Sequence, residues 1–291
     1  MITSMMFNAI GGSSSSQVTS AVLSVRGSAL WRCVLAEFVG SGFLAAVVVG
    51  SGIAAQQLSP GDAGLQLVEN AAATALGLFA VISMVGPVSG AHLNPVISVV
   101  DAALGRLPWR HAAAYLPAQV AGCGGGVMVA NAMFSRAALS ISTRHRASGG
   151  HLVSETVATF GLLLVVFALA RSGRARAAPA AIAAYIGAAY FFTSSTSFAN
   201  PALTAGRTLS DSFASIAPSS VPAFLAAQAA GAMLAFVVIK VLYPPVPAGP
   251  PPQEDFSSWP PNSLRMAESM RSAKSPSPRE LKRSISAVVN T

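Results

Sequence analysis

The sequence predicts an all-α membrane protein in which six transmembrane helices and two re-entrant half-helices form an inverted repeat. Three observations predict it. Of 291 residues, 53% are hydrophobic and 10% charged, against about 25% charged in soluble domains, so too little polar surface exists to keep such a chain in water. Apolar stretches near the ~20 residues a bilayer helix requires recur six times. Two shorter apolar segments each begin with Asn-Pro, at Asn94 and Asn200. An ordinary soluble enzyme, a disordered protein and a disulfide-stapled secreted domain are excluded on these numbers.

The elements follow in order. Residues 1–29 are Ser- and Gly-rich and read as a cytosolic arm, without the positive start and apolar core of a signal peptide. The spans are expected over about Trp31 to Ala55, Gln66 to Val85, Trp109 to Phe134, His151 to Ala170, Ala177 to Phe192 and Val221 to Leu242. The segments NPVISVVDAAL and NPALTAGRTL are too short to cross. Asn is a good N-cap and Pro suits the first helical position, so each reads as the start of a short helix. Beyond Tyr243, the run PPVPAGPPP ends the last helix. A Ser-rich basic tail over 244–291 follows, with Ser275, Ser277 and Ser284 as phosphate-acceptor candidates and Leu281, Ile285 and Val288 at helical spacing.

The apolar region over 30–243 divides into two related halves, about 31–134 and 151–243. AEFVGSGFLAA from Ala36 matches SETVATFGLLL from Ser154, aligning Glu37 with Glu155; PAQVAG around Gln119 is echoed by AAQAAG around Gln228. Each half holds three spans, an odd number, so the halves insert with opposite orientations and their short helices meet in mid-membrane. Small residues at four-residue spacing, Gly122 and Gly126 in the third span and Ala227, Gly231 and Ala235 in the sixth, let helices cross closely.

The net charge of +8 does not point to nucleic acid. Arg26, Arg32, Arg106, Arg110, Arg171, Arg174, Arg176 and the tail cations fall on one side if both termini are cytoplasmic in a plasma or inner membrane. Arg136, Arg144 and Arg146 oppose this bias from the third connection. Cys33 and Cys123 both lie in apolar stretches and read as packing. No metal-ligand spacing and no cofactor motif occur, so neither a metal nor a cofactor is expected.

SGAHLNPV (Ser89–Val96) and SFANPA (Ser197–Ala202) together resemble the paired motifs of the major intrinsic proteins, the aquaporins and aquaglyceroporins, over nearly the whole of 31–243. The first motif departs in carrying Val96. The resemblance implies the aquaporin fold, a homotetramer with one pore per subunit, and small neutral solutes as partners alongside the bilayer. It implies a pore constriction at Asn94, Pro95, Val96, Asn200, Pro201 and Ala202, and makes Glu37 and Glu155 acceptors for backbone amides of the re-entrant loops. His92 either lines the pore or anchors its loop.

Counted from the two Asn residues, the family's four-membered filter ring maps to Thr74, Ala188, Ser197 and Leu203. Typical water channels hold an aromatic, a histidine and an arginine there. None of the three is present, and Leu203 takes the arginine's place. Small side chains at Thr74, Ala188 and Ser197 imply a wide opening for water, glycerol-like polyols, urea or undissociated metalloid acids such as arsenous acid. Arg207, a turn beyond the ring, either reaches the vestibule or pairs with Asp211 or snorkels to headgroups; its distance from the ring favours the second. A water-selective channel and a secondary transporter are the alternatives, the latter opposed by the lack of further acidic groups at mid-membrane. GPVSG at Gly86 is too loose a match to support an intramembrane serine protease.

Overall fold

A computed structural model describes residues 29–244. The arm over 1–28 and the tail over 245–291, with its serine and amphipathic-turn expectations, lie outside the described residues. Eight α-helices make up the described chain: α1 (Leu30–Leu58), α2 (Ala63–Ser89), α3 (Pro95–Ala103), α4 (Trp109–Met133), α5 (Gly149–Arg171), α6 (Ala178–Phe192), α7 (Pro201–Gly206) and α8 (Val221–Leu242). Six helical segments are long and apolar enough to cross a membrane, the fifth including a short 3-10 turn before α6. No strand occurs among the described residues.

Local chemistry sets the helix ends. Asp62 caps α2 by accepting from the Leu65 N–H at 2.9 Å, so that helix starts three residues before the expected Gln66. It also runs beyond Val85, through Pro87, and stops where Gly90 turns left-handed at φ 90°, a conformation glycine adopts without Cβ strain. The half-helices α3 and α7 both start at an extended Asn followed by Pro, with φ of −156° at Asn94 and −153° at Asn200. The Asn94 side chain accepts from the Val96 N–H, and that of Asn200 from the Ala202 and Leu203 N–H groups.

Glycine sets the helix crossings. A Cβ on Gly122 would lie 2.2 Å from the Phe38 carbonyl oxygen, and one on Gly126 would lie 2.0 Å from that of Gly42, so α1 and α4 touch backbone to backbone. In the second half a Cβ on Gly231 would lie 2.4 Å from the Thr156 carbonyl oxygen, bringing α5 and α8 into the same relation. Large apolar side chains face outward instead: Leu76, Met233 and Val241 are each more than 70% exposed. An apolar exterior over small-residue crossings suits a lipid surround, where close packing rather than water exclusion joins helices.

Gly126→Ala is therefore expected to destabilise the fold by about 1–3 kcal/mol, the range for overpacking a tight contact, because the obstacle is backbone. Gly125→Ala, one residue away with nothing within 4 Å of its added Cβ, should leave stability unchanged or raise it. Thermal unfolding of the two variants in detergent, followed by loss of the monodisperse peak, separates them.

Candidate functional site

The two half-helices meet tip to tip in the interior. The Asn94 amide donates to the Ala199 carbonyl at 2.7 Å, and the Asn200 amide donates to the Leu93 carbonyl at 2.7 Å. Each Asn thus caps its own helix through Oδ1 and bonds the opposite loop through Nδ2. A side-chain amide has two N–H donors, so one on each Asn remains for a molecule passing between them.

The loops before the Asn residues take the same unusual course. Ala91 and Leu93 have φ of 50° and 52°, and Ser197 and Ala199 have φ of 49° and 47°. Both pairs stand three and one residues before an Asn, in the left-handed region that non-glycine residues seldom occupy. Buried carboxylates hold these loops. Glu37 accepts from the Ser89 hydroxyl at 2.6 Å, the His92 N–H at 2.9 Å, the Leu93 N–H at 2.6 Å and the Gln119 amide at 2.7 Å. Glu155 accepts from the Phe198 N–H at 2.8 Å, the Ala199 N–H at 2.9 Å and the Gln228 amide at 2.8 Å. Gln119 and Gln228 also donate to Ser98 and Thr204, at 3.1 and 2.9 Å, tying α4 and α8 to the half-helices.

A cavity of about 60 Å³ runs past both Asn side chains. At about 10–15 Å³ of such space per water, it holds a short file of small molecules. Its walls are mostly aliphatic: Leu44 and Val48 from α1, Leu78 and Ile82 from α2, Ile97 from α3, Leu162 from α5, and Ile182 and Ile186 from α6. Polar groups punctuate this wall. His92 lines it near the start of α3, with Nδ1 3.0 Å from the Ser98 hydroxyl and Nε2 3.5 Å from the Asp101 carboxylate. Arg106 also pairs with Asp101, at 3.0 Å.

Of the four ring positions, Thr74, Ser197 and Leu203 line the cavity. Ala188 does not, and the expectation for it is corrected: it is exposed on α6. The cavity face of α6 carries Ile182, Ile186 and Tyr190 at four-residue spacing, and Ala188 lies two residues, about 200°, from Tyr190 around the helix. Tyr190 is 2% exposed, and its hydroxyl lies 3.0 Å from that of Thr74. Tyr190 therefore brings a phenol to the cavity wall, where an alanine was expected. Ser197 places a hydroxyl on the same wall with no hydrogen-bond partner among the described residues. Pro95 and Ala202 are buried beside the capping Asn residues, while Val96 and Pro201 are partly buried; none of the four lines the cavity.

Arg207 departs from expectation. It is 1% exposed and does not pair with Asp211. The chain leaves α7 through a 3-10 turn at Arg207–Leu209 and becomes extended at Ser210, so the i,i+4 helical face on which that pair depended does not continue. Arg207 instead donates through Nε to the Ala214 carbonyl and lies with its guanidinium carbon 3.4 Å from the centre of the Phe198 ring. Arg146, from the connection between α4 and α5, was missed as a site residue. It is 7% exposed, donates to the Ser215 and Phe213 carbonyls at 2.8 and 3.1 Å, and lies 5.4 Å from the same ring. Burial first, then the neighbouring Arg207 and Arg144 charges, push its pKa down to about 9.

Comparison with known proteins completes the description. A family model described as Major intrinsic protein matches residues 24–198. Aquaglyceroporin AqpS of Rhizobium meliloti (strain 1021) is 44% identical over 214 residues, covering 74% of this chain and 91% of that protein. Aquaporin NIP6-1 of Arabidopsis thaliana is 31% identical over 212 residues, covering 70% of this chain and 67% of that one. Among solved structures, the X-ray structure of the aquaglyceroporin from Plasmodium falciparum aligns with a TM-score of 0.54 and 19% identity, over 74% of this chain and 96% of that one. At that identity the likeness speaks for the fold alone.

The carboxylate hydrogen bonds make a graded prediction. A glutamine keeps one acceptor oxygen, so Glu155→Gln strands the Phe198 N–H or the two donors opposite, whereas Glu37→Gln strands two donors whichever way its amide turns. At about 1–3 kcal/mol per buried orphan, Glu37→Gln should be the more damaging. Melting temperatures of both variants in detergent test the ranking.

Proposed function

The chain belongs to the major intrinsic protein family and is an integral membrane channel for small neutral solutes, not an enzyme; from that premise we propose that it conducts glycerol-like polyols, urea and undissociated metalloid acids such as arsenous acid, together with water. The observation that carries this reading is the two-sided wall of the cavity. Thr74, Tyr190 and Ser197 bring hydroxyls to it, while Leu203 and the α6 isoleucines offer only hydrocarbon. A polyol has the matching character, with hydroxyls along one edge and carbon along the other.

Passage then follows from the geometry. A solute sheds water against the aliphatic wall and regains hydrogen bonds from the hydroxyl side. It next meets the free amide hydrogens of Asn94 and Asn200, whose half-helices point their positive ends at the same place. Cations are disfavoured there, and a water that accepts from both Asn residues cannot relay a proton through that point. With Leu203 beside the Asn200 cap, no fixed donor pair or charge obstructs the neighbouring space. The bulk of Tyr190 favours a second reading, in which the ring narrows until water alone passes freely.

The positive-inside bias supports cytoplasmic termini in a plasma or inner membrane. Of the opposing arginines, Arg136 donates to the Asp211 carbonyl at 3.1 Å and Arg146 is buried, while Arg144 is exposed and still opposes the bias. The exposed apolar faces of the spans suit contact with lipid and with sister subunits in a homotetramer.

Proteoliposomes challenged in turn with water, glycerol, urea and arsenous acid test the reading by light scattering. Faster shrinkage than protein-free vesicles is expected under an impermeant osmolyte, and faster re-swelling in glycerol, urea and arsenous acid; fast shrinkage without faster re-swelling in any of the three would establish the second reading. Leu203→Arg should slow glycerol and arsenous acid by roughly tenfold, equivalent to about 1.4 kcal/mol of barrier, and slow water far less. Unchanged passage of the large solutes in that variant would remove Leu203 from the ring.

A further inference from the structure

The mechanism above uses no guanidinium, yet two of them are buried beside the cavity. Arg207 is 1% and Arg146 is 7% exposed. No carboxylate pairs with either among the described residues. Arg207 has one carbonyl partner, Ala214, and its Nη2 has no hydrogen-bond partner. Arg146 is held by carbonyls only. Glu155 is one negative charge set against two positive ones, and its oxygens already accept from the Phe198 and Ala199 amides and from Gln228, so neither guanidinium is hydrogen-bonded to it. A buried charge without a counter-ion is costly and inside a membrane protein usually has a purpose.

Position supplies the purpose. Phe198 lines the cavity two residues before Asn200 and packs edge-on against Phe224, with ring centres 5.2 Å apart. Arg207 lies 3.4 Å and Arg146 5.4 Å from the centre of that same ring. Both charges thus stand one aromatic ring from the lumen without being part of its wall. Both are buried, and buried charges are screened less than exposed ones, so their field reaches the lumen. A charge set behind a ring repels cations as one in the lumen would, but occupies none of the lumen's width.

We propose that Arg207, assisted by Arg146, forms a second cation and proton barrier in this channel, in addition to the one at the Asn94 and Asn200 tips, acting through Phe198 rather than from the filter ring. The inference rests on the channel reading above. The rival role for both residues is a mechanical clip joining the segment 207–220 to the connection before α5. The two roles differ in what a lysine does. Lysine keeps the charge but loses the planar stack and the Nε bond, whereas methionine keeps the length and loses the charge.

The test uses the full-length protein in liposomes containing a pH-sensitive dye, with proton flux driven by a valinomycin-clamped potassium potential and glycerol flux measured on the same vesicles. Arg207→Met should raise proton flux about tenfold over the unsubstituted protein, Arg207→Lys should stay near it, and both should still pass glycerol. Arg146→Gln should give a smaller rise, and adding it to Arg207→Met should increase the leak further. Glycerol passage with proton flux within twofold in Arg207→Met would overturn the proposal, as would an equal leak in the lysine and methionine variants. If Arg207→Met fails to assemble, Arg146→Gln decides: a proton leak with glycerol passage supports the barrier, and none removes it. Failure of the unsubstituted protein to pass any neutral solute would instead defeat the channel reading.

Discussion

Two reciprocal hydrogen bonds, from Asn94 to the Ala199 carbonyl and from Asn200 to the Leu93 carbonyl, hold the middle of this molecule together. The half-helices present like partial charges to each other in a medium that screens little, and these bonds offset that repulsion. Each bond is worth only about 0.5–1.5 kcal/mol net, but an unpaired buried amide or carbonyl costs about 1–3 kcal/mol, so the pair is strongly preferred to its absence. The carbonyls it uses are aimed by backbone that is itself strained. Left-handed residues at Ala91, Leu93, Ser197 and Ala199 persist because Glu37 and Glu155 take the N–H groups this course leaves without backbone partners. Gln119 and Gln228 hold those carboxylates in turn. The strained loops are therefore over-determined from the spanning helices inward.

The inverted repeat explains why this works twice. Glycine at Gly126 and Gly231 brings the paired helices together in each half, so that Gln119 and Gln228 reach their glutamates. Chemistry then departs from the symmetry at the two ends. Near α3 the cavity is lined by His92, bonded to Ser98 and facing Asp101, which Arg106 also engages. Near α7 the equivalent region has Phe198 with two guanidiniums and no pairing carboxylate. The scaffold is doubled, but the fields at its two mouths are not.

The architecture is legible in the sequence because lipid permits so few solutions: apolar length gives the spans, and Asn-Pro at the head of a segment too short to cross gives the half-helices. The matched glutamates are legible for the same reason, since an ionisable group there has few acceptable surroundings. A hydroxyl four residues after each Asn, at Ser98 and Thr204, was also readable as a repeat of the motif. Tyr190 was not reached by counting back from Asn200, because a count through a loop assumes its length; the four-residue stripe of Ile182 and Ile186 is the better guide. Arg146 carries no local signal, since its partners are carbonyls more than 60 residues away. Arg207 was misassigned to Asp211 because the helix was assumed to continue past the 3-10 turn.

Size and charge selection need not reside on the same residues. A pore that relies on one guanidinium in its narrowest ring couples them: the group that repels cations also fills the space and donates to whatever passes. Here the cavity wall offers Leu203, Tyr190 and two smaller hydroxyls, while the charges stand behind Phe198. Neutral solutes meet a surface graded from hydroxyl to hydrocarbon and are sorted by fit. With Arg207 and Arg146 acting as proposed, cations meet a field before they meet any steric limit, because Coulomb repulsion acts across the width of a ring whereas packing acts only at contact. On the proposed reading, an uncharged solute with several hydroxyls passes along the wall, and a hydrated cation is refused by residues that never touch it.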